Sequence, residues 1–82
     1  MTAARYYAVP DPLTDRQRDV LRFIVRYQSE HGFSPSYREI GAACECGSTN
    51  AVNDHLKYIE KKGWIRRHPR IPRSIVIIEE PA

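Results

Sequence analysis

The first regular pattern of apolar and polar positions, between residues 14 and 31, predicts an amphipathic helix. Its buried face repeats at spacings of three and four residues. That face consists of Gln17, Val20, Leu21, Ile24 and then Tyr27 or Gln28. Thr14, with Gln17 three positions later, is typical of a capping box at a helix start. Gly32 is the residue type that ends helices in a left-handed conformation, so we expect the helix to stop at His31.

A second, shorter helix is predicted after the Ser-Pro break at residues 34–35. Ser36 and Glu39 have the spacing of another capping box, and the helix is expected to run to about Cys44. Gly41 is small enough to let a neighbouring helix cross closely. The small apolar face of this helix consists of Tyr37, Ile40 and Ala43.

The third amphipathic pattern predicts a helix over residues 49–62, with Ser48 as its N-cap and Gly63 as its terminator. Its inward stripe consists of Ala51, Val52, Leu56 and Ile59. Its opposite face consists of Asn50, Asn53, Asp54, Lys57 and Lys61. His55 lies beside the inward stripe, and we interpret it as a packed side chain and not as a pH switch.

Two short strands are predicted after the helices. Residues 64–67 form the first, residues 68–72 a proline-flanked loop, and residues 73–78 a second strand that contains the β-branched run from Ile75 to Ile78. An isolated hairpin is unstable, so we expect Trp64 and the isoleucines to pack on the helices. The predicted fold class is mainly α with a small antiparallel β-hairpin, a winged helix-turn-helix in which the two strands and their loop are the wing. Residues 1–12 are predicted as an extended arm, 13–79 as the winged domain and 80–82 as a tail.

The basic residues are unevenly distributed along the chain, and their positions indicate where a partner would bind. The 82 residues carry a formal net charge of +3, which by itself favours an anionic partner only weakly. However, seven of the 13 basic residues lie between Lys57 and Arg73, where Glu60 is the only acid. Concentrated like charge destabilises a fold, so a partner that neutralises it is the better explanation. The third helix and the wing are therefore the expected contact surface.

Other kinds of chemistry find little support in the sequence. Cys44 and Cys46 supply two thiols, which cannot complete a tetrahedral zinc site, and we interpret them as small residues in a turn. The three histidines lie in separate elements without a nucleophile, paired carboxylates or a phosphate-binding loop. We therefore expect no metal, no cofactor and no enzymatic activity. No apolar run is long enough to span a membrane, which predicts a cytoplasmic, nucleoid-associated protein.

The outward face of the third helix suits the major groove of double-stranded DNA, which admits one α-helix. Asn50 and Asn53 each present an amide, which matches N6 and N7 of adenine, and Asp54 can accept a hydrogen bond from N4 of cytosine. Ser48 can bond a base or a phosphate, and the Ala51 methyl group can meet a thymine methyl group. We predict that these five residues read bases.

Basic residues along the same helix and the wing are expected to contact the DNA backbone, with some wing residues entering the minor groove. They are Lys57, Lys61, Arg66, Arg67, Arg70 and Arg73. Prolines at 69 and 72 stiffen the wing loop, which lowers the entropy lost when it docks on DNA.

Two segments, LTDRQRDVLRFI and PSYREIGAACECGSTNAVNDHLKYIEKKGWI, together resemble the amino-terminal DNA-binding domain of the LexA repressor of the bacterial SOS response. The resemblance runs from about Leu13 to Ile78. It implies a winged helix that binds operator DNA as a dimer, and it transfers base-reading roles to Ser48, Asn50, Ala51, Asn53 and Asp54.

The chain departs from that family's pattern in two ways. The family usually has two glutamates where Asn53 and Asp54 stand, so we do not expect the same operator sequence. The family's carboxy-terminal half, which supplies dimerisation and a Ser/Lys self-cleavage dyad, has no counterpart in these 82 residues. We therefore expect no self-cleavage, and we expect a second copy of the chain or another protein to supply dimerisation.

An alternative from another class is a winged-helix module that binds a regulator or a polymerase component through the same surface. A basic surface argues against mimicry of DNA, which requires acidic residues. Binding to random duplex DNA that weakens with salt separates the two hypotheses, because only the DNA-binding protein should show it. Within the arm, Tyr6 and Tyr7 are candidates for a contact with a second protein.

Overall fold

Three helices and a two-stranded sheet follow one another along residues 10–81, the part of the chain that this computed structural model describes. The helices are α1 (Asp15–His31), α2 (Tyr37–Ala43) and α3 (Thr49–Lys61). The strands are β1 (Ile65–Arg66) and β2 (Val76–Ile77). This order confirms the predicted winged helix-turn-helix.

The helix starts are fixed by local hydrogen bonds, as the sequence predicts. Both arms of the capping box are formed at Thr14 with Gln17 and at Ser36 with Glu39. The Ser48 hydroxyl accepts from the backbone N–H of Ala51 at 3.2 Å and caps α3. Each cap satisfies backbone donors that a helix end leaves without partners, so these residues set where the helices begin.

The core lies where the three helices and the wing meet. On α1 it includes the predicted Gln17, Val20, Leu21 and Ile24, and on α3 it includes Val52, Leu56 and Ile59. On α2 only Ile40 is buried. The expectation that Ala43 belongs to the apolar face of α2 was wrong, because Ala43 is exposed and the buried face continues from Ile40 to Cys44, four positions later.

The crossing of α2 over α3 is close, as expected from Gly41. A Cβ atom at Gly41 would lie 3.4 Å from Cγ2 of Val52, at the short end of ordinary van der Waals contact, so a side chain that extends beyond Cβ toward Val52 would crowd it. This contact sets the spacing of the helix-turn-helix, and with it the position of α3.

The wing is a short antiparallel ladder in which Ile65 faces Ile77 and Arg66 faces Val76. One further bond, from the N–H of Ile78 to the carbonyl of Trp64 at 2.9 Å, continues it. Both strands are shorter than predicted. At the loop, the Ser74 hydroxyl accepts from the N–H of His68 at 2.9 Å and donates to its carbonyl at 2.8 Å, which replaces ladder bonds. Arg73 has a left-handed backbone with φ of 57°, which a strand cannot contain.

The first described residues are attached to the body. The N–H of Asp11 donates to the carbonyl of Lys62 at 3.0 Å, and the Trp64 indole donates to the carbonyl of Asp11 at 2.6 Å. Positions 10 and 11 of the predicted arm therefore lie against the end of α3. Tyr6 and Tyr7, with the rest of residues 1–9, fall outside the described residues, and the domain boundaries stay predictions.

Candidate nucleic-acid interface

The outward face of α3 consists of polar side chains opposite its buried stripe. At 100° per residue, the face centred directly opposite Val52, Leu56 and Ile59 carries Asn50, Asp54, Lys57 and Lys61, and all four are exposed. The helix of 13 residues is about 20 Å long, which is enough to follow a major groove over several base pairs.

The first turn of α3 presents small groups. Ser48 is exposed, and because its oxygen caps the helix its hydroxyl proton remains able to donate. Ala51 is half-buried beside it. The structure also exposes Thr49 on this turn and Tyr58, at 52% exposure, two turns further along. Neither was among the predicted site residues, although a hydroxyl directly after the N-cap was a usable signal for Thr49.

Asn53 lies on the flank of the outward face and is held by the wing. Arg67 donates through Nη1 to Oδ1 of Asn53 at 2.8 Å and to the hydroxyl of Tyr37 at 2.7 Å. Its Nε donates to Oε1 of Glu60 at 3.0 Å, and its side chain is only 5% exposed. One guanidinium thus joins α2, α3 and the wing.

The charged form of Arg67 is stabilised in this setting. Burial alone lowers the pKa of the guanidinium, but its hydrogen bonds to Tyr37 and Glu60 and the negative charge of Glu60 outweigh it, so the pKa lies above its ordinary value. These bonds use Nε–H and both hydrogens of Nη1. The predicted contact between Arg67 and the DNA backbone stays a prediction, and it has to be made by the remaining Nη2.

Arg73 is also committed to internal partners. Its guanidinium forms a bidentate ion pair with Glu39, in which Nη1 donates to Oε1 at 2.9 Å and Nη2 donates to Oε2 at 3.1 Å. It donates to the carbonyl of Ser34 at 3.1 Å and to the hydroxyl of Tyr27 at 3.3 Å, and it lies 5.0 Å from the centre of the Phe33 ring. The predicted role of Arg73 in DNA binding stays a prediction. In the structure its side chain attaches the wing loop to the helices.

Glu39 is the carboxylate partner of Arg73 in this ion pair. The hydrogen bond from Arg73, and then that from the backbone N–H of Ser36 at 2.8 Å, lower the pKa of its carboxyl from 4.5 to about 2. The same carboxylate therefore closes the α2 capping box and holds the wing loop through Arg73, shortly before β2.

The remaining basic residues of the predicted site point to solvent. Lys57, Lys61, Arg66 and Arg70 are exposed, and none of them forms an ion pair or side-chain hydrogen bond with any other part of residues 10–81. Lys62 differs, because its Nζ donates to Oε1 of Gln17 at 2.7 Å. The surface thus combines a polar helix face with four available cations, an arrangement suited to a polyanion with groove-exposed bases.

Other sites are less developed. Cys44 and Cys46 are free thiols, and burial raises the pKa of Cys44, so it is kept unreactive. Within residues 10–81, no group of three His, Cys, Asp or Glu side chains is arranged to hold a metal ion. None of the described helices combines the length and the apolar character of a membrane span.

Comparison with known proteins identifies relatives of this domain. A family model described as the LexA DNA binding domain matches residues 10–74. The LexA repressor of Anaeromyxobacter sp. (strain Fw109-5) is 52% identical over 66 residues, which cover 80% of this chain and 29% of the relative. The LexA repressor of Myxococcus xanthus (strain DK1622) is 48% identical over 66 residues, with 80% and 30% covered. That of Bacillus cereus (strain Q1) is 47% identical over 70 residues, with 85% and 34% covered. The chain thus matches about a third of the length of these relatives.

Proposed function

The chain belongs to the family of LexA DNA-binding domains, and from this membership we propose that it binds double-stranded DNA sequence-specifically and acts as a transcriptional repressor. The observation that carries the proposal is the outward face of α3. There, Asn50, Asp54, Lys57 and Lys61 are exposed, and the wing adds Arg66 and Arg70, which form no ion pair within residues 10–81.

Base recognition is assigned to the first half of α3. Asn50 is exposed, so its amide nitrogen can donate to N7 of adenine while its amide oxygen accepts from N6, which is a bidentate contact. Asp54 accepts from N4 of cytosine, and the methyl group of Ala51 meets that of thymine. Ser48 donates its hydroxyl proton to a base or a phosphate at the start of the helix.

Backbone contacts are assigned to cations that have no ion-pair partner among the described residues, 10–81. Lys57 and Lys61 follow the base-reading residues along α3 and neutralise phosphates at the groove edge. Arg66 and Arg70 reach the backbone or the minor groove from the wing. The hydrogen bonds of Arg67 and Arg73 to α2 and α3 hold the wing in place in the free protein, which reduces the entropy lost on binding.

Tight binding to an operator requires more than one reading helix. A single module buries a small interface and binds weakly at physiological salt. We therefore infer that two copies act together on a two-fold symmetric site in the nucleoid, joined by direct contact or by another protein. Deleting residues 1–9, while keeping the contact between Asp11 and Trp64, tests whether that segment joins them. If sedimentation on DNA is unchanged by the deletion, the segment has no such role.

In vitro selection of bound duplexes from a random pool is the decisive experiment. We expect an enriched sequence made of two related half-sites, whose spacing gives the arrangement of the two copies. Random duplex DNA should also be bound at about 50 mM salt, because the phosphate contacts do not depend on sequence. Absence of binding under that condition would refute DNA binding and favour a protein-interaction module.

A further inference from the structure

The amide of Asn53 has a defined orientation because its neighbour can only donate hydrogen bonds. A guanidinium carries five N–H donors and no acceptor. The atom of Asn53 that lies 2.8 Å from Nη1 of Arg67 is therefore the carbonyl oxygen Oδ1. The two hydrogens on Nδ2 consequently face away from Arg67, and Asn53 is only partly buried there.

Arg67 itself has little freedom to turn. Its side chain is 5% exposed, and it is held at 3.0 Å by the carboxylate of Glu60 and at 2.7 Å by the hydroxyl of Tyr37. These partners lie on α3 and α2, the two helices of the helix-turn-helix. Releasing Oδ1 of Asn53 would leave a buried charged donor with one bond fewer, which is costly. The orientation of the amide is thus fixed before any ligand binds.

We propose that Arg67 is a positioning residue that holds Oδ1 of Asn53 and leaves the Nδ2 donor as the group that faces the major groove, so that Asn53 selects guanine over adenine. Guanine presents two acceptors, N7 and O6, to that donor, whereas adenine presents N7 beside its own N6 donor. An unrestrained asparagine would prefer adenine, because it offers an acceptor and a donor together. The inference rests on the proposed DNA binding, and it replaces the expectation that Asn53 reads adenine.

The first test uses the wild-type chain. The base pair that Asn53 contacts is identified first. It is the position of the selected site at which Asn53→Ala no longer distinguishes among the four base pairs. At that position we expect guanine to be bound about tenfold more tightly than adenine. Replacing adenine there by purine, which is adenine without its 6-amino group, should not weaken binding. A tenfold loss on that replacement would overturn the inference, because it would mean that Asn53 accepts a hydrogen bond from N6.

The second test removes the positioning residue. Arg67→Met frees Oδ1 of Asn53, and we expect the preference at this position to move from guanine to adenine. Arg66→Met is the matched control, since it removes the same charge from the neighbouring exposed position. It should weaken binding alike to the duplexes that carry each of the four base pairs at this position. If Arg67→Met folds and keeps the guanine preference, Arg67 does not orient Asn53.

A third variant covers the case in which Arg67→Met does not fold. Asn53→Asp keeps an acceptor for Arg67 but presents an oxygen outward, so guanine should lose its advantage to cytosine or adenine. An unchanged guanine preference in this variant would overturn the inference. Failure of the proposed function is a different result, because then neither wild type nor any variant binds even random duplex DNA.

Discussion

The carboxylate of Glu39 accepts two hydrogen bonds from the guanidinium of Arg73, at 2.9 and 3.1 Å, and this pair joins the first turn of α2 to the wing loop shortly before β2. A bidentate ion pair of this kind fixes the relative orientation of its partners as well as their distance. The wing loop is therefore held at both ends, by Arg67 directly after β1 and by Arg73 shortly before β2.

The first prediction concerns acid stability. The pKa of Glu39 is about 2 in the folded protein and 4.5 ordinarily, so its ionised form stabilises the fold above about pH 4.5. That contribution is lost as the pH falls from 4.5 toward 2, because the unfolded chain takes up the proton first. Glu39→Gln retains an oxygen for the capping box but lacks the charge. We expect it to melt at a lower temperature than wild type at pH 7, with the difference shrinking below pH 4.5.

Thermal melts followed by circular dichroism at several pH values measure this effect. Glu30→Gln is the matched control, since Glu30 is an exposed residue of α1 that forms no ion pair within residues 10–81. A difference between wild type and Glu39→Gln that stays constant from pH 7 to pH 3 would contradict the role assigned to the pair.

A second prediction separates base reading from backbone contact. Asn50→Ala should cost about 1–3 kcal/mol on the selected site and relax the base preference at one position. Arg70→Ala should weaken binding to all sequences by similar factors, since Arg70 is assigned to phosphates. Fluorescence anisotropy on the selected and a scrambled duplex gives both values. Equal losses for Asn50→Ala on the two duplexes would remove it from the base-reading set.

The salt dependence of binding counts the phosphates that the protein neutralises. With about five contacts, log K should fall by about 4 to 5 for each tenfold rise in salt concentration. Lys57→Ala should reduce this slope by about 1. Lys62→Ala is the contrasting variant, because Lys62 is bonded to Gln17 and should leave the slope unchanged. A slope that responds to Lys62→Ala and not to Lys57→Ala would reverse the assignment.

The core of α3 is the subject of the last prediction. Leu56 is fully buried between the helices, so Leu56→Ala should lower the free energy of unfolding by about 2–5 kcal/mol. Lys57→Ala, at the next position but on the exposed face, should change it by less than about 0.5 kcal/mol. Urea denaturation measures both, and similar values for the two variants would mean that the assigned face of α3 is wrong.

The sequence alone determined the helices, their caps and the inward faces of α1 and α3. These features depend on contacts between residues three or four positions apart, such as Ser36 with Glu39, and on a periodicity that is visible in the residue order. For the same reason the outward position of Asn50 and Asp54 on α3 followed from the sequence.

Only the tertiary structure decided which arginines are available to a ligand. Arg67 pairs with Asn53 across 14 positions and with Tyr37 across 30, and Arg73 pairs with Glu39 across 34. In the sequence these arginines look like Arg66 and Arg70, because local patterns carry no information on partners so distant along the chain. The orientation of the Asn53 amide depends on one such partner, and so it became visible only when folding brought the wing against α3.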